Sequence, residues 1–356
     1  MSPYSTRVGD RIRCDVCPRA CELRAGQRGF CYVRRATDQA EPDIELTTYG
    51  RSSGFCIDPI EKKPLNHFLP GTPVLSFGTA GCNLGCRFCQ NWDISKARAD
   101  DRLQATAQPE AIAAAAAASG CRSVAFTYND PVIFTEYAID TARACRERDV
   151  RSVAVTAGYV QGRARDDFFA VMDGANIDLK AFSEDFYRKL CFARLADVLD
   201  TIDYVANHTA CWVELTTLLI PDANDSDAEI TALAEWVVDT VGPDVPLHFS
   251  AYHPDFKMRD RGRTPLATLL RARDIAMRVG LRFVYCGNVH HPESDTTWCP
   301  ACDTAAIARD WYELRRWALD GDGRCAGCGA TIPGVFEARP GDWGARRERL
   351  TIAPPR

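Results

Sequence analysis

The sequence predicts an α/β protein: a partial or full (β/α) barrel of about six to eight parallel strands, with a small cysteine-rich module on either side. Strand-like apolar runs recur at 74–77, 123–126, 152–156, 175–179, 212–219, 247–250 and 282–285. Helical stretches at 111–118, 131–148, 197–206, 227–241 and 265–279 separate most of them. Strands and helices alternating at these lengths indicate a parallel sheet with right-handed crossovers. Seven strands suit a barrel, open or closed, better than a two-lobed doubly wound fold. Eleven of the 17 cysteines fall into three tight groups, and these divide the chain.

In chain order, residues 1–40 carry Cys14-x2-Cys17-x3-Cys21-x9-Cys31, with Pro18, Gly26 and Gly29 between them. This reads as a loop-rich module held by metal rather than by a hydrophobic core. Residues 41–71 read as an irregular connection, and 72–292 as the barrel. The short run at 74–77 leads straight into the central cysteines, as a buried strand ending in a functional loop would. Pro109 and Glu110 open an alanine-rich helix that Gly120 ends. Residues 293–356 break the pattern with Cys299-x2-Cys302-x22-Cys325-x2-Cys328. Two C-x-x-C pairs of this kind read as a zinc-ribbon-like module, with a spacer slightly longer than usual.

Composition narrows the function classes. Hydrophobic residues make up 46% and the formal net charge is −5, with both signs spread along the chain, so nothing suggests a nucleic-acid-coating tail. Residues 1–13 are polar, and no apolar run approaches the roughly 18–20 residues that cross a bilayer. A reduced cytoplasm is the expected location, where clustered cysteines are metal ligands rather than disulfides. The six scattered cysteines, Cys56, Cys121, Cys145, Cys191, Cys211 and Cys286, read as small buried hydrophobes.

The central group is Cys82-x3-Cys86-x2-Cys89 with no fourth cysteine close by. A 4Fe–4S cluster in an electron carrier has a thiolate on each iron. Three ligands leave one iron open to a substrate or cofactor, which points to chemistry rather than electron storage. The N-terminal spacing suits zinc, but an auxiliary 4Fe–4S cluster stays open there, since thiolates alone do not choose between these metals.

This motif, with Phe88 before its third cysteine, resembles the radical S-adenosylmethionine superfamily. The closer resemblance is to the radical enzymes of the AmmeMemoRadiSam system, relatives of pyruvate formate-lyase activating enzymes. It is carried by residues 14–34, 58–65, 81–95, 127–131, 175–182, 214–225, 246–249 and 284–289. The resemblance implies a 4Fe–4S cluster on Cys82, Cys86 and Cys89, with S-adenosylmethionine on the open iron. One-electron cleavage would give a 5′-deoxyadenosyl radical that abstracts hydrogen from a protein or small-molecule substrate. It also implies cofactor contacts from Asn129 and Asp130, from Asp178 and Lys180 at a strand end, and from Glu214, which shares a strand face with Thr216. Two positions depart from the family pattern: Asp130 stands where glutamate is usual, and Ala157 where asparagine is usual. Implied partners are a flavodoxin- or ferredoxin-type electron donor and, by association, AMMECR-like and Memo-like proteins.

Competing readings are a radical-type RNA modification enzyme, which the composition argues against, and a non-catalytic binding module scaffolded by zinc. His67, His248 and His253 read as hydrogen-bonded structural residues. Lys62 and Lys63 read as a solvated surface pair, and His290 and His291 as minor candidates for substrate contact.

Overall fold

The computed structural model of the chain describes residues 2–39, 41–98 and 103–352. Its centre is a sheet in which parallel strands follow one another in chain order. They are β2 (Pro73–Phe77), β3 (Ser123–Phe126), β4 (Arg151–Thr156), β5 (Gly174–Asp178), β6 (Trp212–Leu219), β7 (Leu247–Ala251) and β8 (Val284–Gly287). Two antiparallel strands extend the β2 edge: β1 (Phe55–Pro59) pairs with β2, and β9 (Glu348–Leu350) pairs with β1. The ladder runs from β8 to β9 without closing, so among the described residues the barrel is open.

Six helices fill the crossovers: α1 (Pro109–Ala118), α2 (Thr135–Arg146), α3 (Gly162–Phe169), α4 (Leu195–His208), α5 (Asp227–Thr240) and α6 (Leu266–Val279). Each lies between consecutive strands, so all seven parallel strands point the same way and deliver their C-terminal ends to one face. Covered on both sides, β3 and β7 are buried along their whole length, and β2, β4 and β5 nearly so. That is why they read in sequence as continuous apolar runs.

The stretch expected to be a helix from 131 begins as a 3-10 turn, Pro131–Phe134, before α2 takes over. Asp130 caps it by accepting from Val132 N. Helix α3 was not anticipated. The segment expected to be an irregular connection contributes the fully buried β1. The surface reading of Lys62 and Lys63 is corrected: Lys63 is 3% exposed and pairs with the buried Asp58 at 2.7 Å, while Lys62 reaches the same carboxylate at 3.0 Å. Burial works against ionising Asp58, but Lys63, Tyr128 and Lys62 together hold its pKa well below the usual carboxylate range.

The two flanking modules are tied to the barrel by specific contacts. The N-terminal one pairs Ser5–Val8, Arg11–Cys14 and Glu22–Leu23 in a small antiparallel sheet. From it the buried Arg34 reaches Glu136 on α2 in a two-pronged ion pair, 2.9 and 2.5 Å, and donates to the Ile133 carbonyl at 3.0 Å. The C-terminal module pairs Thr297–Trp298, Ala305–Asp310 and Glu313–Trp317, and packs Ile307, Leu319 and Ile332 against Phe283 and Tyr285 at β8. The chain then runs back beneath the strand starts, where Leu69 N donates to the Val335 carbonyl, Gly341 N to Pro70 and Trp343 N to Gly71. No helix among the described residues is long and apolar enough to cross a membrane.

Removing one partner of a buried ion pair strands the other charge. Glu136→Ala should therefore cost about 3 kcal/mol of stability in chemical denaturation, and Glu136→Gln, which keeps one acceptor for Arg34, clearly less.

Candidate active site at the strand ends

The face that collects the strand ends holds a cavity of about 270 Å³. Cys82, Cys86 and Cys89 line it from the loop after β2, Asn129 and Asp130 from the end of β3, and Ala157 from β4. Asp178 and Lys180 line it from β5, Thr216 and Leu218 from β6, Ser250 from β7 and Asn288 from β8. Every parallel strand thus contributes to one wall, as barrel topology requires.

The cysteine loop has almost no regular structure, so its backbone must be satisfied from outside. Asn129 does much of this: its side-chain amide donates to the Gly81 carbonyl at 2.9 Å and to Thr79 Oγ1 at 3.2 Å, and its oxygen accepts from Thr79 N at 3.0 Å. Arg19, between two N-terminal cysteines, donates to the Asn83 and Phe192 carbonyls. Gly81 has φ +82°, and a Cβ there would strike the Cys31 carbonyl, so only glycine fits between the two cysteine groups. On the other flank Gly85 N and Arg87 N donate to the Cys191 and Leu190 carbonyls at 2.8 and 2.9 Å. The six scattered cysteines are all buried, as expected, and the Cys191 backbone carbonyl helps hold the cysteine loop.

Asp130 is 5% exposed and held by Thr156 Oγ1 at 2.8 Å, Ala157 N at 3.0 Å and Val132 N at 3.3 Å. Burial lifts its pKa above the ordinary value, against the pull of those bonds. Its Oδ2 accepts from Ala157 N alone among these and keeps capacity for another donor. Lys180 and Asp178, two residues apart, reach the same wall and form a 2.8 Å ion pair. Tyr128 and Asn288, also on the wall, take left-handed backbone with φ +70° and +59°, a conformation that concentrates at functional sites in non-glycine residues.

Glu214 does not line this cavity. It is fully buried and accepts from Asn66 N at 2.9 Å, His67 N at 2.8 Å and Trp212 Nε1 at 3.1 Å, and meets His248 Nε2 at 2.7 Å. It shares the Thr216 face of β6 but sits two residues, about 7 Å, deeper. His67 is buried between the Pro333 carbonyl and the Tyr285 hydroxyl, 2.6 Å from each, and burial pushes its pKa down to about 4. His253 is exposed, His290 pairs with Asp310 at 2.9 Å, and His291 caps the turn at Pro292–Asp295.

Sequence reasoning did not single out Gln90, Ser250 or Asn288. For Gln90 the available signal was its place next to Cys89. Its Nε2 and the Thr216 Oγ1 are buried and lack any hydrogen-bond partner among the described residues, and both residues line the cavity. Orphaned polar atoms on a cavity wall are what a polar ligand would satisfy.

The Radical SAM superfamily profile matches residues 77–234, from the end of β2 into α5. The chain belongs to the radical SAM superfamily. It is 38% identical over 331 residues to the uncharacterized protein MJ0808 of Methanocaldococcus jannaschii, covering 92% of this chain and 97% of that one. Among solved structures it is similar to a domain of a pyruvate-formate lyase-activating enzyme from Bacteroides vulgatus. That match has a TM-score of 0.41 and 20% identity, over 46% of this chain and 98% of that one. A radical SAM methyltransferase from Sphaerobacter thermophilus matches with a TM-score of 0.49 and 18% identity, over 62% and 67%. As a radical SAM enzyme, the protein takes a 4Fe–4S cluster and S-adenosylmethionine and needs a one-electron donor. The three-cysteine loop and the orphaned donors of Gln90 and Thr216 fit those groups.

In the C-terminal module Cys299, Cys302, Cys325 and Cys328 bring their sulfurs within 4.8 Å of one another. Cys299 and Cys328 are 3.6 Å apart, and Cys302 and Cys325 3.7 Å. Four thiolates on one zinc at about 2.3 Å would stand about 3.8 Å apart, so this group is ready for zinc.

A smaller cavity of about 80 Å³ adjoins the first through Ser250 and Asn288, and Glu61 and Asp295 lie on its wall. Glu61 accepts from Gly71 N at 2.6 Å, and its other oxygen is buried without a partner among the described residues. Burial lifts its pKa from 4.5 to about 7, only partly offset by Arg309. The folded protein thus keeps a proton that the unfolded chain releases, and this stabilisation is complete below pH 4.5 and drains away as pH rises through 7. Glu61→Gln removes the dependence. Relative to the wild type, the variant should gain about 3 kcal/mol between pH 5 and pH 8 in denaturant titrations. Parallel curves for the two proteins would refute this assignment.

Proposed function

We propose that this radical SAM enzyme cleaves S-adenosylmethionine reductively at the strand-end cavity and abstracts a hydrogen atom from a protein or small-molecule substrate, in the manner of pyruvate formate-lyase activating enzymes. The observation that carries this reading is the convergence of Cys82, Cys86 and Cys89 with strand-end polar residues on one cavity wall. When bound, the cluster and S-adenosylmethionine supply a 5′-deoxyadenosyl radical after one-electron reduction.

The chain's own groups position and shield. Cys82, Cys86 and Cys89 supply three thiolates, and Asn129 and Arg19 fix the loop that carries them. Asp130 Oδ2 can accept from the methionyl ammonium, and Lys180 can meet the carboxylate while Asp178 holds it in place. Ala157 offers only its backbone where a side-chain amide is usual, and Thr216 and Gln90 are open polar partners on the wall. Leu84, Phe88 and Leu218 keep water from the reacting centre. A substrate reaches that centre from the side of the adjoining cavity, through Ser250 and Asn288. We assign the protein to the cytoplasm, with a flavodoxin- or ferredoxin-type donor and AMMECR-like and Memo-like proteins as candidate partners.

Anaerobic reconstitution followed by reduction with S-adenosylmethionine should release 5′-deoxyadenosine and methionine. Cys86→Ser should lose both this activity and the absorbance of the reactive cluster. Stoichiometric iron without 5′-deoxyadenosine would sink the reading. Asp130→Asn loses the charge and one of the two backbone acceptors, and should raise the KM for S-adenosylmethionine at least about tenfold, the worth of one charge-assisted hydrogen bond.

A further inference from the structure

The chain has two four-cysteine groups, and their sulfurs are arranged differently. Among the described residues, Cys299, Cys302, Cys325 and Cys328 are the one set of three or more candidate ligands whose atoms all lie within 4.8 Å. Cys14, Cys17, Cys21 and Cys31 do not meet that limit, although all four line one small apolar cavity of about 20 Å³. The cysteines of the barrel mouth, Cys82, Cys86 and Cys89, do not meet it either. A single zinc draws its thiolates to about 3.8 Å. A cubane cluster stands between its thiolates and holds them about 6 Å apart. In the N-terminal group, as in the iron–sulfur motif and unlike the zinc group, every set of three sulfurs therefore has at least one pair more than 4.8 Å apart.

Its surroundings also suit a redox group. Cys14 and Cys31 are buried, and the Arg34 guanidinium, itself 1% exposed, stands beside both of them. The cavity shares a wall with the reactive loop, because Asn83, the residue after Cys82, lines it. Arg19, which also lines it, donates to the Asn83 carbonyl. The Cys31 carbonyl packs on Gly81, the residue before Cys82.

We propose that Cys14, Cys17, Cys21 and Cys31 hold a second 4Fe–4S cluster, a redox centre behind the barrel mouth, rather than a structural zinc. This assignment does not depend on the reaction proposed above. The test uses the full chain with Cys82, Cys86 and Cys89 all changed to alanine, reconstituted anaerobically with iron, sulfide and zinc together. The expected result is about four irons and one zinc per chain, with one-electron reduction giving an electron paramagnetic resonance signal that added S-adenosylmethionine leaves unchanged. Two zincs and less than about half an iron per chain would overturn the proposal. Should the triple variant fold poorly, the wild type separates the alternatives by about eight irons and one zinc against four and two. A wild type that releases no 5′-deoxyadenosine yet carries eight irons would defeat the proposed function and leave this assignment standing.

Discussion

The loop between β2 and the turn at Trp92 carries the three cysteines of the cluster motif but almost no hydrogen-bond ladder of its own, and the architecture around it is arranged to supply one. A polar backbone that is buried or half-buried needs partners. They come from several directions: Asn129 from the neighbouring strand end, Arg19 from the N-terminal module, and the Leu190 and Cys191 carbonyls from the turn after β5. Lys96 adds a bond to the Leu84 carbonyl at 2.7 Å, and Asn83 one to the Tyr159 carbonyl at 2.7 Å. A loop held this way keeps its thiolates in place through rigidity borrowed from elements distant in sequence. The price is that each of those elements must be correctly placed first.

Much of this could be read from the sequence because parallel strands covered on both faces must be apolar throughout, and short apolar runs between helices stand out. What could not be read follows from the same physics. Strand β1 contains Asp58 and Pro59, which argue against a buried strand until Lys63, Lys62 and Tyr128 are seen to close around the carboxylate. Helix α3 begins at a glycine and carries charges along most of its length, so its apolar face rests on Ala164, Phe168 and Phe169 alone. The lysine pair was misjudged because sequence shows charge but not the buried partner that takes it out of solvent.

The site was legible to a similar degree. Period-two alternation placed Glu214 and Thr216 on one face of β6, but alternation says nothing about depth along the barrel. Glu214 lies below the cavity in a saturated hydrogen-bond cluster, while Thr216 reaches the wall with its hydroxyl free. Gln90 emerges as a candidate only once its burial and lack of partners are known together, and the same two facts pick Thr216 over Glu214 on their shared face. Cysteine spacing marked three groups and read one as a cluster motif and one as a zinc site, but for Cys14, Cys17, Cys21 and Cys31 it left both metals open, since thiolates alone do not choose between them.

The return of the chain beneath the barrel has a mechanical meaning. An open sheet can splay like a fan, because no ladder joins its first parallel strand to its last. Here one continuous segment leaves the β8 edge through the four-cysteine knuckle, crosses the floor through the carbonyls and amides of residues 67–71 and 335–343, and fastens to the opposite edge as β9. It works as a tie between the two open edges, laid across the bottom of the sheet, on the side away from the cysteine loop.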